Sequence, residues 1–409
     1  MRNMIRFRAF QGVRPVPHHA HQVACVPYDV INTEEARELV ADNPYSLLRV
    51  DRAELELAED VDPYSDAVYQ RAVENFQKLQ KEGILIRESE PAVYLYRQTM
   101  GSHTQTGIVG VCHVEDYEKD LIKKHEKTRR DKEDDRTRLV GDLSANTGPI
   151  FLTYKDEEAL NKLIEAESAL PALYDFTAPD GIRHTVWKVT SPEAFSKGFE
   201  KVDCAYVADG HHRTASAARV AMERRAANPE HTGEEDYNWF LSVLFPGSQL
   251  KILPYNRIVA DLNGLQPEEV IQEIRQHFNL YENASPVPTA PGSVSMYLDH
   301  AWYEIQFEPN EELDPVSKLD VSQLQDGILS PILGIEDPRT SSRIEFVGGI
   351  RGTEELTRKV DAGAGAIAFS LYPVTVDQLM DIADAGQIMP PKSTWFEPKL
   401  RSGLFVHTF

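Results

Sequence analysis

The apolar run Cys204–Ala208 stops at Asp209-Gly210 and opens, through His211-His212-Arg213, onto the small-residue segment TASAARVAMERRAA. This junction constrains the fold more than any other stretch. A short apolar run reads as a buried strand, glycine supplies a tight turn, and the Ala-rich segment reads as a helix. Ala215, Ala218 and Met222 fall at helical spacing and are expected to pack that helix closely on a sheet. A buried strand feeding such a helix needs a sheet around it, which places the chain in the mixed α/β or α+β class.

The chemistry follows from the same geometry. The first-turn N–H groups of a helix have no partners within the helix, and they carry its positive dipole end. Two imidazoles and a guanidinium stand beside them, so the corner suits a phosphate, with Gly210, His212, Arg213 and Thr214 as binding residues and His211 as a catalytic candidate. Asp209 would repel a phosphate on its own. It is expected either to cap the helix or to hold the Mg²⁺ that accompanies a nucleotide.

Strand and helix signals alternate along the rest of the 409 residues. Thr33 reads as the N-cap of a helix to Ala41, and a second helix is expected around Pro63–Gly83. Strands are expected at Ala92–Arg97, Gly107–His113 and Pro149–Tyr154, and helices at Glu157–Ser168, Pro192–Phe199 and Pro267–His277. A hairpin covers SVSMYLDHAWYEIQF, and a β-α-β-α pattern runs from Arg343 to Gly386, with helices beginning at Thr353 and Thr375. The organisation expected is an N-terminal α/β unit over 1–113, a core over 114–245 carrying the DGHHR motif, and a C-terminal α/β unit over 246–409.

Other polar clusters offer themselves to the same site. His125-Glu126-Lys127-Thr128 lies in a run dominated by Lys, Arg, Asp, Glu and His, which also reads as a solvated helix face. Arg136 and Arg138, with Asn146 beyond them, could clamp a carboxylate or phosphate, although i,i+4 pairing is the commoner use of such residues. The segment PPKSTWFEPKLRSG sets Lys392, Ser393, Thr394, Lys399 and Arg401 in a proline-stiffened loop that reads as an anion lid or a packed strap. Val26-Pro27-Tyr28-Asp29 and Asn43-Pro44-Tyr45-Ser46 read as stiff turns. His18, His19 and His21 lack ligand spacing and a nearby carboxylate.

The strand–DGHxR–helix element resembles the phosphate-binding corner of ParB partition proteins, sulfiredoxins and ParB-like free-serine kinases. The order Lys124-His125-Glu126, helix, Gly148-Pro149-Ile150-Phe151, then Asp209–Arg213 is similar to that of the serine kinases. Over its whole length the chain is identified as a member of the family called domain of unknown function 1015. The residues that carry this are Pro27-Tyr28-Asp29-Val30, Asn43-Pro44-Tyr45-Ser46, HEKT, Asp135-Arg136, ADGHHR and MPPKSTWFEPKLRSGL.

The resemblance implies a ParB/sulfiredoxin-like core. It also implies phosphoryl transfer from ATP or ADP, with Mg²⁺, to a small hydroxyl acceptor such as free L-serine. Glu126 would be the base, His125, Thr128, Arg136 and Asn146 would face the substrate, and Lys392, Ser393 and Arg401 would close the site. A phosphatase acting on phosphoserine or a similar monoester, and a non-catalytic nucleotide-binding regulator, stay open beside it.

Charge and length bound the partners. With 43 Lys plus Arg against 65 Asp plus Glu, the net charge of −22 repels nucleic acid and anionic lipid at long range. No apolar run approaches the roughly 20 residues that cross a bilayer. Cys25, Cys112 and Cys204 form no CxxC pair, so a reducing, cytoplasmic location is expected, with small molecule and nucleotide as ligands and a homo-oligomer left open.

Overall fold

The helix Thr33–Val40 illustrates how local chemistry sets the elements. Thr33–Val40 is capped by Asn32 rather than by Thr33. Asn32 Oδ1 accepts the Glu35 N–H at 2.9 Å, while a Glu35 carboxylate oxygen accepts the Asn32 N–H at 2.9 Å. Asn is at least as good a cap as Thr, and the acid three residues on completes a capping box.

The computed structural model, described from Met4 to Phe409, groups into two compact units. One comprises residues 1–250 and 398–409, the other residues 251–397. The boundary expected at residue 113 falls inside the first unit. There His103–His113 pairs with Tyr94–Met100 on one side and Trp239–Pro246 on the other, so a cut would divide a continuous sheet.

That sheet has nine strands and positions the site. Its order runs Ile122–Lys123, Ala205–Asp209, Ile150–Tyr154, Trp239–Pro246, His103–His113, Tyr94–Met100, Arg183–Lys188 and Tyr174–Thr177, with Phe7–Arg8 also on His103–His113. Most pairs are antiparallel. Two are parallel: Ile122–Lys123 with Ala205–Asp209, and Ile150–Tyr154 with Trp239–Pro246. The central strands are buried on both faces, which is why Ile150–Tyr154 and Trp239–Pro246 read as unbroken apolar runs. Leu152, Val207, Phe240 and Leu244 are fully buried in the core, each contributing about 1.5–3 kcal/mol.

The helix His211–Ala227 covers this sheet, but not on the face expected. Thr214, Ala217, Ala218 and Ala221 are buried, whereas Met222 is 59% exposed. The buried stripe runs i, i+3, i+4, i+7 from Thr214, and Met222 lies beyond its edge. The small side chains also admit the helix Arg130–Leu143, onto which Ser216 donates its hydroxyl to the Glu133 carbonyl at 3.1 Å.

A second core in the same unit gathers Val23, Leu47, Leu48, Tyr69 and Phe76 with Leu139, Leu143 and Val406. The C-terminal residues join it through single β-bridges of Val406 to Val13 and Ser402 to Cys25, and through His407–Thr408 paired with Ala145–Asn146.

The second unit is a six-stranded antiparallel sheet ordered Asn279–Glu282, Ala301–Gln306, Ser293–Leu298, Ile367–Leu371, Tyr255–Val259, Ile344–Gly348. Its helices include Pro267–His277, Glu354–Asp361 and Val376–Asp384, the last with Thr375 as cap. Among the described residues no helix is long and apolar enough to cross a membrane.

Candidate functional site

The parallel pairing of Ile122–Lys123 with Ala205–Asp209 brings two chain turns to one sheet edge. Each strand ends and the chain reaches a histidine two residues later, His125 in one case and His211 in the other. Their rings meet edge to face, with centroids 4.5 Å apart. Parallel strand ends leave such a crevice, and ligands of open α/β sheets bind there.

Gly210 makes the turn at φ 94°, a left-handed backbone that glycine adopts without strain. It occupies the N-cap position of His211–Ala227, and no side chain caps the helix. Asp209 therefore does not cap it. Its two oxygens are taken by cations: Arg213 Nη2 donates at 2.9 Å and Lys399 Nζ at 3.0 Å. Burial alone would raise the Asp209 pKa, but Lys399 and Arg213 outweigh it and hold the carboxyl well below its usual range.

Arg213 is turned inward. Nη1 donates to the Pro149 carbonyl at 2.6 Å, and Nε is buried with no hydrogen-bond partner among the described residues. Burial opposes its charge, and Asp209, Asp29, Tyr28 and Asp51 more than restore it, raising the pKa. Thr214 is also turned inward, its hydroxyl donating to the Gly210 carbonyl at 3.0 Å.

The histidines differ in role. His211 is buried, and its Nε2 has no partner among the described residues. Burial, against the pull of Asp209 and with His212, Arg213 and Lys124 nearby, pushes its pKa down to about 4. His125 is buried and falls to about 3, through burial and the adjacent His211. Both rings are neutral at pH 7. His212 Nε2 instead accepts the Arg129 N–H at 3.0 Å, tying the loop before the helix Arg130–Leu143 to the motif.

Glu126 completes the corner. Ligand atoms of His125, Glu126 and His211 all lie within 4.8 Å of one another. This carboxylate is half-buried, beside the uncapped helix end.

The remaining expected residues are spread more widely. Thr128 donates to Glu133 at 2.9 Å. Arg136 is buried, stacks over Tyr28 at 4.1 Å, and donates to Asp135 at 2.9 Å and to the Asp51 carbonyl at 3.1 Å. With Tyr28, Asp51, Thr147, Arg213 and Ser402 it lines a cavity of about 30 Å³ behind the motif. Asn146 is buried and accepts the Leu241 N–H at 3.4 Å. Arg401 is buried and paired with Asp180. Lys392 and Ser393 belong to the second unit, where Lys392 lies 5.4 Å from the Tyr255 ring and Ser393 donates to the Pro390 carbonyl at 2.7 Å.

Lys399 is the residue whose place in the site sequence reasoning did not single out. The signal available was its position in a cation-bearing loop, but nothing in the spacing separates it from Lys392 or Arg401.

A family model described as a protein of unknown function (DUF1015) matches residues 7–322. No curated protein matches. Among solved structures, a free serine kinase variant in complex with ADP is 13% identical, over 72% of this chain and 90% of that one, with a TM-score of 0.38. A conserved hypothetical protein from Pyrococcus furiosus is 15% identical, over 71% and 92%, with a TM-score of 0.35. SbnI with a C-terminal truncation, from Staphylococcus aureus, is 12% identical, over 72% and 85%, with a TM-score of 0.38.

Proposed function

This chain belongs to the DUF1015 family of proteins of unknown function, and on that premise we propose that it transfers a phosphoryl group from ATP or ADP to a small hydroxyl acceptor. The observation that carries the reading is the convergence of Glu126 with the uncapped N-terminus of His211–Ala227 on one sheet edge. Phosphoryl transfer asks little of a protein beyond a positioned carboxylate and stabilisation of phosphate charge.

In this reading the N–H groups of His211, His212 and Arg213 receive the phosphates, aided by the helix dipole. The Asp209–Arg213–Lys399 ion pairs fix the turn that presents those N–H groups. Arg213 acts by holding Asp209 and Pro149 in place. Glu126 takes the acceptor hydroxyl proton as the new P–O bond forms and the bond to the departing nucleotide oxygen breaks. Free L-serine is the acceptor that the resemblance to the free-serine kinases implies.

Mg²⁺ would neutralise the nucleotide phosphates. Asp209 does not fit as its ligand, because each of its oxygens already faces a cation. The phosphate oxygens themselves are the usual Mg²⁺ donors in such sites.

The test is purified protein with Mg²⁺, ATP or ADP, and a panel of hydroxyl amino acids, followed by phosphorus NMR. The expected result is a phosphomonoester that appears only with nucleotide. Phosphate released from phosphoserine without nucleotide would instead identify the phosphatase. Intact nucleotide with every acceptor unphosphorylated would defeat the transferase.

A further inference from the structure

His211 Nε2 is a buried polar atom with no partner among the described residues, and buried imidazole nitrogens rarely stay unsatisfied. It belongs to a cluster of two imidazoles and one carboxylate whose donor atoms lie within 4.8 Å of one another. We propose that His125, Glu126 and His211 are the protein ligands of one divalent transition-metal ion, of the zinc, cobalt(II), manganese or iron(II) class.

The donor set selects that class. Two nitrogens and one carboxylate oxygen suit borderline ions, whereas Mg²⁺ and Ca²⁺ take oxygen almost throughout. Metal–ligand bonds of about 2.0–2.2 Å place tetrahedral donors roughly 3.4 Å apart. Donor atoms within 4.8 Å of one another reach that spacing by a closure of at most about 1.4 Å.

Two features of the fold support the assignment. His125 is hydrogen-bonded to the backbone of Val207, the outer-shell arrangement that orients ligating imidazoles. The parallel strand pair then fixes the two histidines relative to each other, so the site is built on sheet rather than on loop alone. Three protein ligands leave at least one position for water or a ligand atom, the pattern of reactive rather than structural metal sites.

This goes beyond the phosphoryl-transfer reading and stands without it. An ion held here engages Glu126, so the base role belongs to the metal-free protein and the metal-loaded site is a second state of the same residues.

The experiment is direct metal binding in the absence of nucleotide. Untagged protein, stripped with chelator, is titrated with Zn²⁺ against a colorimetric competitor and with Co²⁺ by visible absorption. One equivalent is expected, with imidazole scattering in the X-ray absorption spectrum of the Zn²⁺ form. Glu126→Gln, conservative and partly exposed, is expected to weaken binding at least about tenfold, the scale that even outer-shell changes reach. His211→Ala is expected to weaken it further, with circular dichroism confirming the fold. Should His211→Ala misfold, Glu126→Gln and the wild-type absorption spectra decide alone. Binding below one equivalent, an all-oxygen metal environment, or affinity unchanged by Glu126→Gln would overturn the site. None of these outcomes depends on phosphoryl transfer, so the two ideas fail separately.

Discussion

Lys399 sets its ammonium 3.0 Å from Oδ1 of Asp209, a residue 190 positions earlier in the chain. The other oxygen of Asp209 accepts from Arg213, so the carboxylate is held between two cations. The Lys399 side chain is 11% exposed and that of Asp209 26%. Losing one cation from a mostly buried pair costs more than losing a surface pair. Lys399→Met is expected to lower stability by about 1–3 kcal/mol, measured by urea unfolding. A double-mutant cycle with Asp209→Asn should show clear coupling, and additive effects would contradict the pairing.

Gly210 has a second reason to be glycine besides its positive φ. A Cβ there would sit 3.1 Å from Arg213 Nε, while one on Gly181, at φ +81°, would meet nothing. Both alanine substitutions carry the left-handed backbone cost of about 1–3 kcal/mol. Only Gly210→Ala also displaces the guanidinium. It is expected to destabilise more than Gly181→Ala, with thermal unfolding of the two variants as the comparison; equal losses would remove the role given to Arg213.

The strand, turn and helix of the motif are legible because each is written locally. Five apolar residues, one glycine and a run of alanines specify Ala205–Asp209 and His211–Ala227 almost to the residue. The same holds for Pro267–His277 and for the hairpin strands Ser293–Leu298 and Ala301–Gln306. Pairing partners are not local. The two-residue strand Ile122–Lys123 has no periodicity of its own, yet it decides that His125 meets His211. Arg213 looked free for phosphate because a sequence does not show that Pro149 and Asp209 lie within its reach. The lid residues separate for a similar reason, with Lys392 in one unit and Lys399 and Arg401 in the other.

Glu126 is the residue on which chemistry and binding part company. Glu126→Gln keeps size and hydrogen bonding but removes the base. Phosphoryl transfer is expected to fall by about 10²–10⁴ in kcat, the usual worth of a positioned general base. Nucleotide affinity, measured by calorimetry, should stay near that of the wild type, because the helix amides are untouched. A rise in KM with kcat unchanged would place Glu126 in binding instead.

The neutral histidine pair makes the fold sensitive to acid. His125 and His211 titrate near 3 and 4 in the folded chain against 6.5 for an unburied imidazole, because burial penalises their charged forms. The unfolded chain therefore binds more protons between these values. In the metal-free protein, stability from the pair is fully present above about pH 6.5 and is lost as pH falls towards 4, at up to about 1.4 kcal/mol per pH unit for each ring. In a His125→Gln, His211→Gln variant the slope of unfolding free energy between pH 6.5 and 4 should be shallower than in the wild type. An unchanged slope would mean that other groups carry the acid response.

The central claim is that phosphates sit on the first turn of His211–Ala227 with Glu126 beside them, and a crystal structure with bound ADP tests it most directly. Terminal phosphate oxygens within hydrogen-bond distance of the His211, His212 and Arg213 N–H groups are the predicted result. A nucleotide bound elsewhere, with that helix end still facing only protein and solvent, would contradict it.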